Sequence, residues 1–171
     1  ANLGDMAVGV EERYSCSLAA VAADFVNVAT VAGQDEFGAE VGAQDDAVVD
    51  VLPTVELTKV ADPMTRPEPG GEFTFTLTIH NTASEPVIIT GLDDTNALSQ
   101  GCLELIGQTL PVDGTASCTY VANHTAIDSY ENVANITVAD DEGNAAQATD
   151  QVTVEVFDVA PAIEVDKGAS A

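Results

Sequence analysis

Lysine is scarce in this chain, and one lysine is its first candidate for chemistry. The sequence contains four lysine and arginine residues against 29 acidic residues. Val55, Leu57 and Lys59 alternate along a predicted strand, so Lys59 points inward if Leu57 does. An unpaired ammonium group is very costly to bury. An inward Lys59 therefore needs a polar partner.

An amide and a carboxylate are the predicted partners. In the strand predicted over residues 130–138, Asn132 shares the inward parity of its apolar neighbours. Asp93, or its neighbour Asp94, follows another predicted strand and could supply an acid. Apolar burial would lower the pKa of Lys59 and make its amine nucleophilic. The alternative is that Lys59 extends to the surface and pairs with one of the many carboxylates.

The elements that must position these residues are strands. Val, Ala, Leu and Ile dominate an apolar fraction of 46%, aromatic residues make up 5%, and Trp is absent. Phe73, Phe75, Leu77 and Ile79 alternate with polar residues, as in a half-buried strand. We predict an all-β fold of immunoglobulin-like β-sandwich repeats, each with about seven strands.

The net charge of −25 disfavours two classes of partner. Such an acidic surface repels phosphate backbones and anionic lipids, so we predict no nucleic-acid binding. No apolar run approaches the roughly 20 residues of a membrane span, so we predict no membrane insertion within this chain.

A long hairpin pattern occurs twice. Residues 25–51 and 130–156 each read as two strands around an acidic turn with glycine. Five positions of the first copy recur in the second at an offset of 105 (130 − 25). These pairs are Phe25 and Tyr130, Asn27 and Asn132, Asp35 and Asp140, Gly38 and Gly143, and Asp45 and Asp150.

The repeat predicts the domain organisation. Residues 1–52 are the C-terminal part of one immunoglobulin-like repeat, and residues 53–158 are a complete repeat. Residues 159–171 are the first strand of a following repeat, or a donor strand for a neighbouring subunit. On this interpretation the chain begins within a domain.

The order of short motifs resembles a known family. VELTKVADP, PGGEFTFTLTIHNTASEPV, GLDD, TASCTY, YENVANITVADDEGN and QVTVEV follow one another across residues 53–158. This order is similar to the tandem conserved-repeat domains of large bacterial and archaeal cell-surface and adhesin proteins. The resemblance implies an immunoglobulin-like spacer, adhesin stalk or filament unit outside the cell, with no enzymatic activity.

A disulfide fits an exported array of this kind. Cys102 and Cys118 lie on adjacent predicted strands of one repeat, the first of them spanning residues 102–106. Cys16 is the counterpart of Cys118, because Ser15-Cys16 aligns with Ser117-Cys118 at an offset of 102 (118 − 16), and its own partner would precede residue 1. The alternative is a set of free buried thiols.

The resemblance also extends to pilin and adhesin sandwiches in which a first-strand lysine condenses with a late-strand asparagine. It implies a candidate isopeptide bond between Lys59 and Asn132, assisted by Asp93. The alternative remains an ordinary surface ion pair of Lys59.

The acidic turns are candidate calcium sites, because calcium binds six to eight hard oxygen ligands. The alternative is that Asp, Asn and Gly simply satisfy the geometry of hairpin turns on a solvated surface. The candidate ligands are Asp140, Asp141, Glu142, Asn144 and Asp150 in the second copy, with Asp35, Asp45 and Asp46 in the first.

Two N-x-S/T sequons, at Asn123 and Asn135, are candidate glycosylation sites.

Enzyme signals are poor, because the two histidines, His80 and His124, fit neither a metal-binding nor a nucleophile-base spacing.

We therefore predict a mechanical spacer or assembly unit of an extracellular surface fibre, adhesin stalk or filament, not an enzyme. Its partners would be neighbouring repeats or identical subunits, joined by sheet or strand complementation. The alternative is an adhesin module that binds a glycan or protein receptor through loops 93–100 or 115–128.

Overall fold

The protein is all-β, and its computed structural model describes residues 4–169. The chain divides into two compact units, Ala1–Val49 and Asp50–Ala171.

Among its described residues, the first unit contains one antiparallel hairpin, formed by β1 (Phe25–Gln34) and β2 (Glu40–Val49). The carboxylate of Asp35 closes the turn by accepting hydrogen bonds from the backbone of Phe37 and Ala39, at 2.9 and 2.8 Å. Gly38 takes φ +82° in this turn, a left-handed conformation that glycine adopts without strain.

The second unit contains eight strands and one short helix among its described residues. They are β3 (Val55–Asp62), β4 (Thr65–Pro67), β5 (Gly71–Asn81), β6 (Val87–Asp94), α1 (Gln100–Leu103), β7 (Thr109–Leu110), β8 (Thr115–His124), β9 (Asp128–Ala139) and β10 (Ala145–Phe157).

These strands form two sheets. The three-stranded sheet has the order β3-β5-β8, and the five-stranded sheet has the order β4-β10-β9-β6-β7. Neighbouring strands run antiparallel, apart from the parallel pair of β4 and β10.

One apolar core joins the two sheets, as in a β-sandwich. Phe73, Phe75, Leu77 and Ile79 of β5 are fully buried, which confirms the alternation predicted for this strand. Ile136 and Val138 of β9 and Val154 and Val156 of β10 belong to the same core cluster. Burial of each such side chain contributes roughly 1.5–3 kcal/mol, so apolar contacts between the facing sides of the two sheets are the main source of their association.

The segment around Cys102 is helical, so the strand predicted over residues 102–106 is wrong. Ser99 caps the N-terminus of α1 by accepting a hydrogen bond from the Cys102 amide. The Ser99 hydroxyl also donates to the Thr119 carbonyl at 2.8 Å, which ties the helix to β8. A serine cap that also bonds a neighbouring strand thus favours a helical turn over an extended strand.

The hairpin of β9 and β10 has the same register as the hairpin of β1 and β2. Phe25 pairs with Val49 in the first, and Tyr130 pairs with Val154 in the second, both at the offset of 105 (130 − 25 and 154 − 49). The turns also agree, because Gly143 takes φ +92° where Gly38 takes +82°.

Candidate functional site

Lys59 lies at the centre of a buried polar cluster. Its ammonium group contacts the Asp94 carboxylate, and it lies 2.8 Å from both the Tyr120 hydroxyl and Asn132 Oδ1. The side chains of Lys59 and Asp94 are both fully shielded from solvent. We call these four residues, Lys59, Asp94, Tyr120 and Asn132, the lysine cluster.

The lysine cluster connects the two sheets. Lys59 and Tyr120 lie on β3 and β8 of the three-stranded sheet, whereas Asp94 and Asn132 lie on β6 and β9 of the five-stranded sheet. Lys59 follows the inward parity of Leu57, and Asn132 follows that of Ala134 and Ile136, as predicted. The predicted meeting of Lys59 with Asn132 is thus present in the structure.

The acid in this cluster is Asp94 and not Asp93. Asp93 is exposed, and its Oδ1 accepts a hydrogen bond from Asn135 Nδ2 at 3.1 Å. The cause is a register shift between Ile89 and Gly91, because one extra residue in β6 reverses which side chains face inward. Uninterrupted counting from the buried Ile89 would have turned Asp93 to the core.

Two aromatic rings line the cluster. Phe75 and Tyr120 stack with their centroids 5.2 Å apart and their planes 15° from parallel. Lys59 Nζ lies 5.4 Å from the centroid of each ring. These rings exclude water while their π faces still attract the cation. Tyr120 was not singled out by sequence analysis, although it shares the inward parity of Cys118 on its strand.

Burial controls the ionisation of the cluster. Desolvation lowers the pKa of Lys59, against the opposing hydrogen bond and charge of Asp94 and the charge of Asp150. Desolvation also raises the pKa of the Tyr120 hydroxyl, and its hydrogen bond with Asp94 acts in the same direction. Tyr120 therefore stays protonated. Deprotonating Lys59 to its neutral amine costs less free energy than deprotonating a lysine at the surface.

Asp150 serves this cluster and does not join the acidic turn where a calcium site was predicted. Its Oδ2 accepts a hydrogen bond from the backbone amide of Lys59 at 2.6 Å. Asp150 pairs with Ala134 within the hairpin, whereas the turn begins after Ala139. The spacing of Asp150 along the chain predicts a place among the turn acids, but the strand between them separates it from the turn.

The acid at position 140 closes its own turn. Asp140 is buried, and its two carboxylate oxygens accept hydrogen bonds from the Asn144 backbone and side chain at 2.7 and 2.9 Å. The carboxylates of Asp50, Asp140 and Glu142 offer oxygens within 4.8 Å of one another. Asp50, which was not predicted, also accepts a hydrogen bond from Asn144 Nδ2 at 2.8 Å.

The predicted acids of the first unit are also spread along their hairpin. Asp35 lies in the turn, whereas Asp45 and Asp46 pair with Ala29 and Val28 well down the strands. Asp45 occupies the position that corresponds to Asp150. These three acids therefore do not form one ligand set within this unit.

Cys102 and Cys118 form a disulfide, as predicted, with Sγ atoms 2.03 Å apart and Cα atoms 5.1 Å apart. The bond joins α1 to β8. Cys16 is a free, exposed thiol.

The two sequon asparagines lie on strands with different surroundings. Asn123 is exposed near the end of β8. Asn135 is partly exposed with the predicted outward parity, but its side chain donates to Asp93 and accepts from the Thr149 hydroxyl at 2.7 Å. A glycan on Asn135 would replace one hydrogen of the same Nδ2 that contacts Asp93, whereas Asn123 is exposed, so Asn123 is the more accessible acceptor.

Comparisons with known proteins place the chain in no family. No family model matches it, and no curated protein matches it. Among solved structures, a protein described as ApaA from Bordetella pertussis is similar at 16% identity and a TM-score of 0.39, over 61% of this chain and 93% of that chain. That likeness is too distant to carry an argument about fold or function. Within residues 4–169, α1 is far too short to cross a membrane as a helix.

Proposed function

We propose that this chain is a structural repeat of an extracellular surface fibre, stalk or filament, and that it acts as a mechanical spacer and assembly unit. On this proposal the second unit is an immunoglobulin-like sandwich, and the chain belongs to the tandem-repeat surface proteins that its motifs resemble.

The observation that supports a mechanical role is the way Lys59 links the first and last long strands of the second unit. Its backbone amide bonds Asp150 on β10, 91 residues away, and its side chain bonds Asn132 on β9. Tension applied through the two ends of this unit enters at β3 and leaves at β10. Extension therefore loads the contact between Lys59 and Asp150, which joins the strands at the two ends and favours resistance to extension.

Two further features support the proposal. The matched register of the two hairpins is what tandem copies of one domain would have. The disulfide of Cys102 and Cys118 fits an oxidising location outside the cytosol.

Assembly would use the first unit. Within the described residues its sheet has only two strands, and Val26, Val28 and Val31 are more than half exposed. An apolar hairpin with open edges is suited to pairing with strands of a neighbouring repeat or an identical subunit. Sedimentation velocity of the purified chain over a range of concentrations would test this, and a constant sedimentation coefficient would count against self-assembly.

Two experiments test the proposed function itself. Antibodies against the chain should label intact, unpermeabilised cells of the source organism, and the cysteines should be recovered as a disulfide. Single-molecule extension through the chain ends should give a higher unfolding force for the native protein than for Asp150→Ala. Confinement to the cytosol with reduced cysteines would refute the extracellular location, and equal forces would refute the mechanical role.

A receptor-binding module predicts a different outcome. If residues 93–100 formed a binding loop, replacing its exposed residues would abolish adhesion of cells and leave the extension force unchanged. A spacer predicts that adhesion survives this replacement.

A further inference from the structure

We propose that Lys59 and Asn132 condense into an intramolecular isopeptide bond, with Asp94 moving the protons. The bond would join β3 to β9 and hence one sheet to the other. The bond would form in the lysine cluster whether or not the chain is part of a surface fibre.

The reacting groups already face one another. Lys59 Nζ lies 2.8 Å from Asn132 Oδ1, and the carbon that the amine would attack is bonded directly to that oxygen. The two side chains are brought together by strands 73 residues apart in sequence, so the fold and not the local chain creates the encounter. Because the fold already holds the two groups together, most of the entropy that a reaction between separate molecules would lose has been lost on folding.

The amide is oriented for the loss of its nitrogen. Asn132 Oδ1 accepts from Lys59, while Asn132 Nδ2 donates to the Tyr120 hydroxyl at 3.1 Å. The Tyr120 hydroxyl also accepts a hydrogen bond from Lys59 Nζ at 2.8 Å, and Lys59 Nζ contacts Asp94, so a continuous polar path runs from the acid to the leaving amino group. Asp94 contacts the attacking nitrogen at the other end of this path.

The steps balance without any added reagent. The Asp94 carboxylate first takes a proton from the Lys59 ammonium group, which leaves a neutral amine. The amine nitrogen bonds to Asn132 Cγ, and the carbonyl electron pair moves to Oδ1. As the carbonyl re-forms, the Cγ–Nδ2 bond breaks, and a proton from the attacking nitrogen reaches Nδ2 through Asp94 or Tyr120.

The products are one amide, one molecule of ammonia and a protonated Asp94. Lys59 loses two protons, of which one leaves in the ammonia and one remains on the acid. The total charge is zero before and after, because the initial ammonium and carboxylate cancel. A buried ion pair is thus converted into neutral groups, which removes the desolvation cost of two charges in the core.

The surroundings favour this reaction over a permanent ion pair. Full burial of the Lys59 and Asp94 side chains keeps out water that would solvate the ammonium group. Phe75 and Tyr120 close the site with stacked rings. The same burial lowers the pKa of the lysine, so the nucleophilic form costs less to reach.

Intact-mass spectrometry of the whole chain tests the proposal. The protein is denatured, reduced and fully alkylated, so that the disulfide does not alter the comparison with the sequence mass. We expect a deficit of one ammonia, and fragmentation should identify one branched peptide that contains Lys59 and Asn132. An unmodified mass would overturn the proposal. A deficit of one water with a branch between Lys59 and Asp94 would also overturn it, because the acid would then be the acyl group.

Paired variants assign the roles. Asp94→Asn keeps the size of the acid but removes its proton transfer, so the mass should return to that of the unmodified sequence. Asp93→Asn changes the exposed neighbour and should retain the ammonia deficit. Circular dichroism of both variants should match the native spectrum, and a full deficit in folded Asp94→Asn would refute the role of Asp94. Tyr120→Phe should slow formation of the bond, so soon after synthesis a smaller fraction of this variant than of the native chain should show the ammonia deficit, with the same two residues linked.

Discussion

The backbone amide of Lys59 donates a hydrogen bond to the Asp150 carboxylate at 2.6 Å, although the two residues are 91 positions apart. β3 is an edge strand of the three-stranded sheet, so its outer side has no strand partner in that sheet. Asp150, on the other sheet, supplies the acceptor that a neighbouring strand would otherwise provide. One residue, Lys59, is therefore held to the five-stranded sheet by both its backbone and its side chain.

Replacement of Asp150 tests this backbone contact. We expect Asp150→Ala to lower the free energy of unfolding of the second unit by about 1.5–3 kcal/mol, because a charged acceptor is lost and the Lys59 amide loses its partner. Urea denaturation followed by circular dichroism would measure it. Asp45→Ala is the matched control, since Asp45 has the same place in the first hairpin but is exposed. Equal losses in both variants would contradict a specific role for Asp150.

The neighbouring pair Asp93 and Asp94 should differ sharply in stability. Asp94→Ala prevents the proposed bond and leaves the Lys59 ammonium group buried without its carboxylate, so it should cost at least about 3–5 kcal/mol. Asp93→Ala removes one exposed hydrogen bond to Asn135 and should change stability by less than about 0.5 kcal/mol. Thermal unfolding of the two variants would measure the difference. Similar melting temperatures would show that Asp94 does not stabilise the fold.

Sequence analysis could predict the strands and the two residues that meet across the core, because alternation of apolar residues fixes which side chains face inward. Lys59 and Asn132 could be placed from Leu57 and Ile136 alone. Strict alternation could not choose the acid between Asp93 and Asp94, because β6 contains a register shift whose one signal in the sequence is Gly91, a residue type that often marks a bulge within a strand. A single-residue shift leaves little trace in composition but reverses the side of every residue that follows.

The role of Asp150 illustrates a second limit. Its spacing from Asp140 suggested a shared cation site, yet the intervening strand places it against β3. Whether two residues on different sheets come into contact depends on how the sheets pack, and no local sequence pattern predicts that packing. The helical turn at Cys102 was missed for a related reason, because its serine cap also bonds β8.

The disulfide should contribute to stability through the loop that it closes. Its cysteines are 16 residues apart, for which the loop-entropy model gives about 3 kcal/mol. We expect the double variant Cys102→Ala and Cys118→Ala to lose about this amount in urea denaturation. Cys16→Ala, at a free and exposed thiol, is the control and should unfold as the native protein does. A reducing agent should cause the same loss of stability in the native chain and in Cys16→Ala. If it destabilised only chains that contain Cys16, the stabilising disulfide would involve Cys16 and not the pair Cys102 and Cys118.

His124 should make the second unit less stable at mildly acidic pH. Its ring stacks on Tyr130 at 3.9 Å between centroids, and its Nε2 is buried with no hydrogen-bond partner. Burial lowers the pKa of His124 below its ordinary value of 6.5. Below pH 6.5 the unfolded chain therefore binds a proton that the folded chain resists, so this stability is present above pH 6.5 and is lost as the pH falls toward the lowered pKa.

Unfolding curves between pH 7.5 and about pH 5 would measure this effect, whose slope is at most about 1.4 kcal/mol per pH unit for one group. His124→Phe keeps an aromatic ring against Tyr130 and should flatten the decline. His80→Gln is the matched control, because His80 is partly exposed on β5 and should leave the decline in place. If native protein and His124→Phe lost stability in parallel, His124 would have no part in the acid sensitivity, which would then belong to the carboxylates.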